Sequence, residues 1–441
     1  MRRKVQPNFE ENSIGGGRIT GVIIAAEASE RKYAPGFPHH FVEDTALHRT
    51  LFPIKNAPVA LTLTAVSLAA ATLAFGCRKS EPEAPPAPKA PVTISDADLT
   101  KHKPNEAGAI MVLMYHRIAG DEKSNDLNRP PAEFRKDLET LHAKGYYPVN
   151  AWDIVANKMD VPAGKTPVAI TFDDALPTQF KLIQNSKGET KIDPNCAVGI
   201  METFSKAHPD WPTRATFFVL PKKGKNSDPF GQSESVALKF EYLVSKGYEI
   251  ANHTATHTSM RGMNATQIQT ELATAVKAIK DITPKAQMQT LALPYGKLPR
   301  DKTAQIYLSE GQSGGTSYRN KAVFLAAWRP IASPLTKNSK DVTEGGQICV
   351  FNPQRLERVT PNKPLATSPG TFEYWLSFFE KNKNLRYISD GNPNIAAVPS
   401  SLESTLDQAR VAKSGKKLQV YGGGTGSAGS AGGSGGALSV D

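Results

Sequence analysis

Short apolar runs separated by helical stretches constrain this chain more than any other feature. Ile110–Tyr115 (IMVLMY), Pro167–Phe172 (PVAITF) and Ala215–Leu220 (ATFFVL) are continuous rather than alternating. That pattern predicts strands buried on both faces. Tyr248–Ala251 (YEIA), Gln289–Leu293 (QTLAL) and a run beginning at Gly314–Tyr318 (GGTSY) extend the series. Between them Phe134, Leu138 and Leu141 recur at helical spacing and stop at Gly145, and Ser235–Lys246 reads as a helix ended by Gly247. Ile268, Leu272, Val276 and Ile279 mark a further helix, with Asn264 or Thr266 as its cap. Strands alternating with helices imply parallel βαβ units. About seven such strands predict an α/β barrel or near-barrel, with its active site at the strand C-terminal ends.

Polar residues fall where that map puts a site. Asp173 and Asp174 directly follow PVAITF, His253 and His257 follow YEIA in NHTATH, and Pro294, Tyr295 and Gly296 follow QTLAL. Each group alone is weak, since paired aspartates often cap helices and a lone histidine is usually a surface or core residue. A His-x-x-x-His spacing puts two imidazoles on one helical face, which suits a divalent metal. Their coincidence at successive strand ends predicts one shared rim.

TFDDA, HTATH and LPYG resemble, in order and spacing, the first three motifs of the polysaccharide deacetylases, the chitooligosaccharide-deacetylase-like carbohydrate esterases. The resemblance runs from about Ile110 to Ser317, and ATFFVL is similar to a strand typical of that family. It implies a distorted (β/α) barrel and a metal-dependent hydrolase that removes N-acetyl groups from an amino-sugar polysaccharide. Asp174, His253 and His257 are then expected to hold one divalent ion, zinc for preference, with Asp173 as the catalytic base. Adjacent aspartates do not easily face one ion together, so one ligates while the other accepts a proton from water. The Tyr295 backbone N–H is expected to help hold the oxyanion, and Gly296 lets the backbone approach closely.

Two positions depart from the family pattern. An arginine that orients the base usually stands two residues before the Pro of the third motif; here that position is Ala292. A late Leu-x-His usually supplies the general acid, yet no histidine follows His257. His116, ending the first strand in LMYH, is the candidate by elimination. Poly-N-acetylglucosamine deacetylases look similar in opening with a Tyr-His strand; the alternative is that His116 only bonds a neighbouring loop. His102, His142 and His208 are read as surface residues. Trp152, Trp211, Trp328 and Trp375 include candidates for a sugar platform, although most Trp residues pack in the core.

The ends of the chain read differently from its middle. Ala57–Gly76 is an apolar stretch after Arg49 and Lys55, and it ends at Cys77 in LAFGC, which resembles a bacterial lipobox with imperfect fit at Ala74 and Phe75. A lipidated Cys77 is preferred to a plain signal peptide or an uncleaved anchor. Residues 1–50 fit a start codon placed too early, or a cytoplasmic arm. The expected organisation is residues 1–77 as extension and signal, 78–98 as a Pro-rich linker, 99–399 as the catalytic domain and 400–441 as a disordered Gly/Ser-rich tail. Together these predict an exported, membrane-anchored lipoprotein of the cell envelope.

The net charge of +11 comes without a Lys/Arg stripe interleaved with aromatics, so nucleic acid is not an expected partner. Gln179–Thr213 and Ala322–Pro361 lie outside the family pattern and are read as long rim loops that shape a polymer groove. Each carries a cysteine, Cys196 and Cys349, which either pair or remain as two thiols. The competing functional readings are a non-catalytic carbohydrate-binding lipoprotein on a decayed barrel, and a hydrolase of a peptidoglycan acetyl group or a cyclic amide.

Overall fold

The computed structural model describes residues 93–120, 127–221, 228–337, 351–361 and 370–422. They belong to a unit distinct from Met1–Pro85. Seven parallel strands form its central sheet: β1 (Met111–Tyr115), β2 (Tyr146–Val149), β3 (Thr166–Asp173), β4 (Thr216–Val219), β5 (Glu249–Asn252), β6 (Thr290–Ala292) and β7 (Ala322–Phe324). β1 pairs along one edge of β3, while β2 and β4 share the other edge, and the order then runs β4, β5, β6, β7. Every residue of β1 and β3 is buried, as continuous apolar runs require of strands covered on both faces.

The side toward which the sheet curls is bridged by an irregular segment. Val323 and Leu325 exchange backbone hydrogen bonds with Leu356, and Val359 exchanges them with Val112 and Met114. Leu356–Val359 therefore carries the hydrogen bonding from β7 round to β1. Helices cover the outside. Among them are α1 (Pro131–Ala143), α2 (Ala197–Ala207), α3 (Val236–Ser245) and α4 (Ala265–Ile282). Asn264 caps α4 in a capping box with Gln267, and Ile268, Leu272, Val276 and Ile279 form its buried stripe.

Four expectations change. Gly314–Tyr318 does not begin a barrel strand: Glu310–Ser313 and Thr316–Arg319 make an antiparallel hairpin, turning at Gly314 and Gly315, both with positive φ. The barrel strand there is β7, inside the stretch expected to be a rim loop. Gln179–Thr213 is likewise not one long loop, since it holds a small hairpin (Leu182–Gln184 with Thr190–Ile192) and α2, which packs on α1. Residues 400–422 are folded rather than a disordered tail. After α5 (Phe372–Lys381), strand β8 (Ile395–Pro399) pairs in parallel with β9 (Lys417–Tyr421) across helix α6 (Gln408–Ser414). Ala396, Val398, Leu406 and Val411 give that appendix its own small core.

Candidate active site

Side chains alternate along β3, so Phe172 turns outward against Tyr115 and Phe134 while Thr171 and Asp173 face the barrel interior. The strand ends there. Asp174 takes a left-handed backbone at φ 76°, and Ala175 follows at φ 51°. The same signature recurs at the other two strand ends, with Thr254 (φ 71°) and His257 (φ 60°) after β5 and Tyr295 (φ 58°) after β6. Half of the ten described non-glycine residues with positive φ thus lie in these three turns. Left-handed backbone costs a non-glycine residue on the order of 1–3 kcal/mol and persists where the surroundings over-determine it.

Those turns bring the expected metal ligands together. Asp174 Oδ1 stands 3.2 Å from His257 Nε2 and 3.5 Å from His253 Nε2. The ligating atoms of all three residues lie within 4.8 Å of one another. The two histidines do not share a helical face, as their spacing suggested. They bracket a turn in which Asn252 Oδ1 accepts from Thr254 N and Thr254 Oγ1 accepts from His257 N. Glu271 of α4 holds the turn down by accepting from both Thr256 N and Thr256 Oγ1.

The donor set fits a divalent ion. His253 Nδ1 is 2.9 Å from the Ala292 carbonyl oxygen, which can only accept, so Nδ1 carries a proton and Nε2 is the nitrogen turned toward Asp174. That Nε2 is buried and has no hydrogen-bond partner. Two imidazoles and one carboxylate that leave coordination positions open are a hydrolytic zinc-type set. Burial alone would raise the Asp174 carboxyl, but His253 and His257 outweigh it and hold it low.

Asp173 lies beside this set and is held by a residue the sequence did not reveal. Arg358, fully buried on the bridging segment, donates from Nη1 to Asp173 Oδ1 (2.6 Å) and from Nη2 to Oδ2 (2.7 Å). Its Nε donates to the Leu325 carbonyl, and its guanidinium lies 5.2 Å over the Phe218 ring. The arginine absent at Ala292 thus has a counterpart that arrives 66 positions later in the chain. Burial would raise the Asp173 carboxyl; Arg358 and then His253 overcome that and keep it below the usual carboxylate range. No motif marks Arg358, because it sits on neither a helix nor a strand. Gln179 was also missed: its side-chain amide donates to the carbonyls of Asp173 (2.6 Å) and His116 (2.8 Å), tying the ends of β1 and β3 together.

His116 stands on the same rim, with Nε2 3.8 Å from Asp173 Oδ2, and its Nδ1 is buried without a hydrogen-bond partner. Burial lowers its pKa, an effect that Asp173 and Asp174 only partly oppose. Pro294 is buried, whereas Tyr295 is 61% exposed, its ring 4.9 Å from that of His257. Gly296 is required on two counts: its φ is +62°, and a Cβ there would meet Ala326 N at 2.4 Å. Of the four tryptophans, Trp328 is 63% exposed in the segment leaving β7, while Trp211 and Trp375 are buried. Cys196 is buried and caps α2, accepting from Gly199 N. Cys349, and with it the pairing question, lies outside the described residues, as do Cys77 and the apolar stretch before it. Among the described residues no helix is long and apolar enough to cross a membrane.

Residues 160–311 match the family model described as polysaccharide deacetylase. A chitooligosaccharide deacetylase of Bradyrhizobium sp. (strain ANU 289) is 26% identical over 142 residues, covering 32% of this chain and 52% of that protein. Another, from Sinorhizobium fredii, is 28% identical over 82 residues, 19% of this chain and 34% of its own. The chain thus spans about half or less of the length of these relatives. Among solved structures, the Streptococcus pyogenes deacetylase PplD in complex with acetate is 17% identical, with a TM-score of 0.40, covering 57% of this chain and 92% of that one. IcaB from Ammonifex degensii is also 17% identical, with a TM-score of 0.37, covering 57% and 91%. The motifs and the family model agree in making residues 160–311 similar to the polysaccharide deacetylases.

Proposed function

We propose that this chain is a metal-dependent hydrolase that removes N-acetyl groups from an amino-sugar polysaccharide. One observation carries the reading: Asp174, His253 and His257 converge beside an aspartate that a buried arginine grips with both of its terminal nitrogens. Those three residues would hold one divalent ion, zinc being the first choice for this donor set. When bound, such an ion polarises a carbonyl and acidifies water.

The protein's own groups divide the remaining work. Asp173, kept ionised, accepts the proton of the attacking water. Arg358 holds that carboxylate in one orientation, leaving the remaining lone pairs of Oδ2 toward His116 and His253, 3.8 and 4.0 Å away. The Tyr295 N–H donates to the oxygen that becomes negative as the acetyl carbon turns tetrahedral. The leaving amine needs a proton, and His116, with Nε2 3.8 Å from Asp173 Oδ2, gives it. Trp328 and Tyr295 offer exposed rings against which a sugar face can lie.

A non-catalytic carbohydrate binder is the second reading, favoured by Ala292 and by the absence of a histidine after His257. Arg358 weakens it, because a buried guanidinium locked on Asp173 has no use in a binder. The polymer is proposed to belong to the cell envelope, reached from a membrane anchor at a lipidated Cys77; the apolar stretch ending in LAFGC and the Pro-rich segment after it support this. Mass spectrometry of membrane-extracted protein is expected to find a diacylglyceryl cysteine, and an intact Met1 terminus would contradict the anchor. Acetate release from chitin, peptidoglycan and poly-N-acetylglucosamine oligomers, with and without chelator, tests the activity; a cyclic amide hydrolase would release none from any.

A further inference from the structure

A second group of metal-type donors lies at the other end of the sheet. α1 ends just before β2, and the segment leaving α2 runs to the start of β4, so His142, His208 and Asp210 sit at the N-terminal ends of the parallel strands. The rim residues described above follow strand C-terminal ends. His142 belongs to the last turn of α1, His208 is the C-cap of α2, and Asp210 follows two residues later. One donor atom from each residue lies within 4.8 Å of the others. His142 Nε2 is 3.0 Å from both carboxylate oxygens of Asp210.

We infer that His142, His208 and Asp210 form a second binding site for a borderline divalent cation such as zinc, one that clamps α1 to α2. Four ligands at about 2.1 Å around a tetrahedral ion stand about 3.4 Å from one another, so the present separations need little rearrangement. The rings are already fixed. The His208 ring lies 4.5 Å from the His142 ring and 4.3 Å from Phe204, and His142 meets the buried Trp211 edge-on at 5.8 Å. Backbone bonds from His208 N to Phe204 O and from Trp211 N to His208 O set the turn that presents Asp210. Two helix C-termini converge on the site, and their partial negative charges favour a cation.

One group opposes the inference, the Lys165 ammonium 3.9 Å from Asp210. It is a third exposed on a flexible stem, so it can swing into solvent at little cost. Without metal, His142 simply donates to Asp210, an arrangement that leaves His208 idle. Three donors leave the fourth position to water, and among the described residues no second carboxylate is paired with His142 or His208, so the role is structural. The ion would pin the segment between β3 and β4, which carries α2, onto the helix that covers β1.

The test uses the full chain, freed of metal by chelator and titrated with zinc chloride while bound zinc and melting temperature are followed. Wild type is expected to take two equivalents, His208→Ala one, His253→Ala one and the double variant none. Asp210→Asn changes an exposed residue and guards against misfolding; it is expected to weaken the second equivalent at least about ten-fold. The melting rise that accompanies this equivalent should vanish in His208→Ala while acetate release persists. A His208→Ala or Asp210→Asn protein that binds zinc with wild-type stoichiometry and affinity would overturn the inference. If His253→Ala alone left stoichiometry unchanged, the proposed rim site would fail while this one stood.

Discussion

The two donor clusters contain the same three chemical groups, an aspartate and two histidines, yet the protein invests in them very differently. At the rim, His253 is fully buried and steered by the Ala292 carbonyl, the flanking turns carry left-handed backbone, and a second aspartate is locked in place by Arg358. At the base, the Asp210 side chain is 58% exposed, the turn is ordinary, and a lysine is the nearest other charge. The same ligand identities therefore stand in very different surroundings. What separates the two is an aspartate held in one orientation by Arg358, a histidine 3.8 Å from it, and backbone in left-handed turns.

The largest expected effect separates the clusters by chemistry. Asp173→Asn and His116→Ala should each lower turnover by about 10²–10⁴-fold, with zinc content unchanged. Asp210→Asn should leave turnover where it was. Parallel steady-state kinetics and metal analysis check both, and a wild-type rate for His116→Ala would send the search for the proton donor elsewhere.

Arg358→Met comes next. It strands the Asp173 carboxylate in the barrel interior, and loss of one partner of a buried pair costs about 3–5 kcal/mol, measurable by urea unfolding. The sign with pH follows from the pair. Arg358 is the main group lowering the Asp173 carboxyl, so its removal raises that pKa. The acidic limb of the pH–rate profile should move to higher pH, and the destabilisation should shrink as pH falls and the stranded carboxyl takes up a proton. Arg358→Lys should recover little, since a single ammonium cannot reproduce the two-nitrogen grip. An unmoved acidic limb would mean that Arg358 only fills space.

Two smaller effects probe the rim backbone and its edge. Gly296→Ala should destabilise by about 1–3 kcal/mol, because it combines a left-handed φ with a clash against Ala326 N. No comparable strain exists around Asp210, so scanning unfolding across both regions tests whether strain is confined to the rim. Trp328→Ala should raise KM roughly 2–12-fold with kcat nearly unchanged, as expected for one aromatic–sugar contact of about 0.5–1.5 kcal/mol.

The sequence showed one of these regions and hid the other for definable reasons. Asp173, Asp174, His253 and His257 were legible because each follows a continuous apolar run, and in a parallel barrel such ends meet. Arg358 was not legible, because its segment is bonded like a strand on both sides yet has no run of apolar residues to announce it. β2 was overlooked because Pro148 falls inside it, and β7 because it lies in a stretch read as a loop outside the family pattern. The paired glycines of GGTSY suggested a strand start where they form the turn of an outlying hairpin. The Gly/Ser content beyond Tyr421 coloured the whole stretch from residue 400 and masked the parallel pairing of β8 with β9. His142 and His208 looked like isolated surface residues because 66 positions separate them; only the packing of α1 on α2 makes them neighbours.

If the rim cluster hydrolyses an N-acetyl amide as proposed, it needs its ion to do so. Acetate release from N-acetylglucosamine oligomers by the full chain, by chelator-treated protein and by chelated protein given back zinc tests it most directly. Release by the first, near-complete loss in the second and recovery in the third are expected, with Asp174→Ala inactive throughout. Undiminished release by chelator-treated or Asp174→Ala protein, or none from wild-type protein shown to contain the metal, would contradict it.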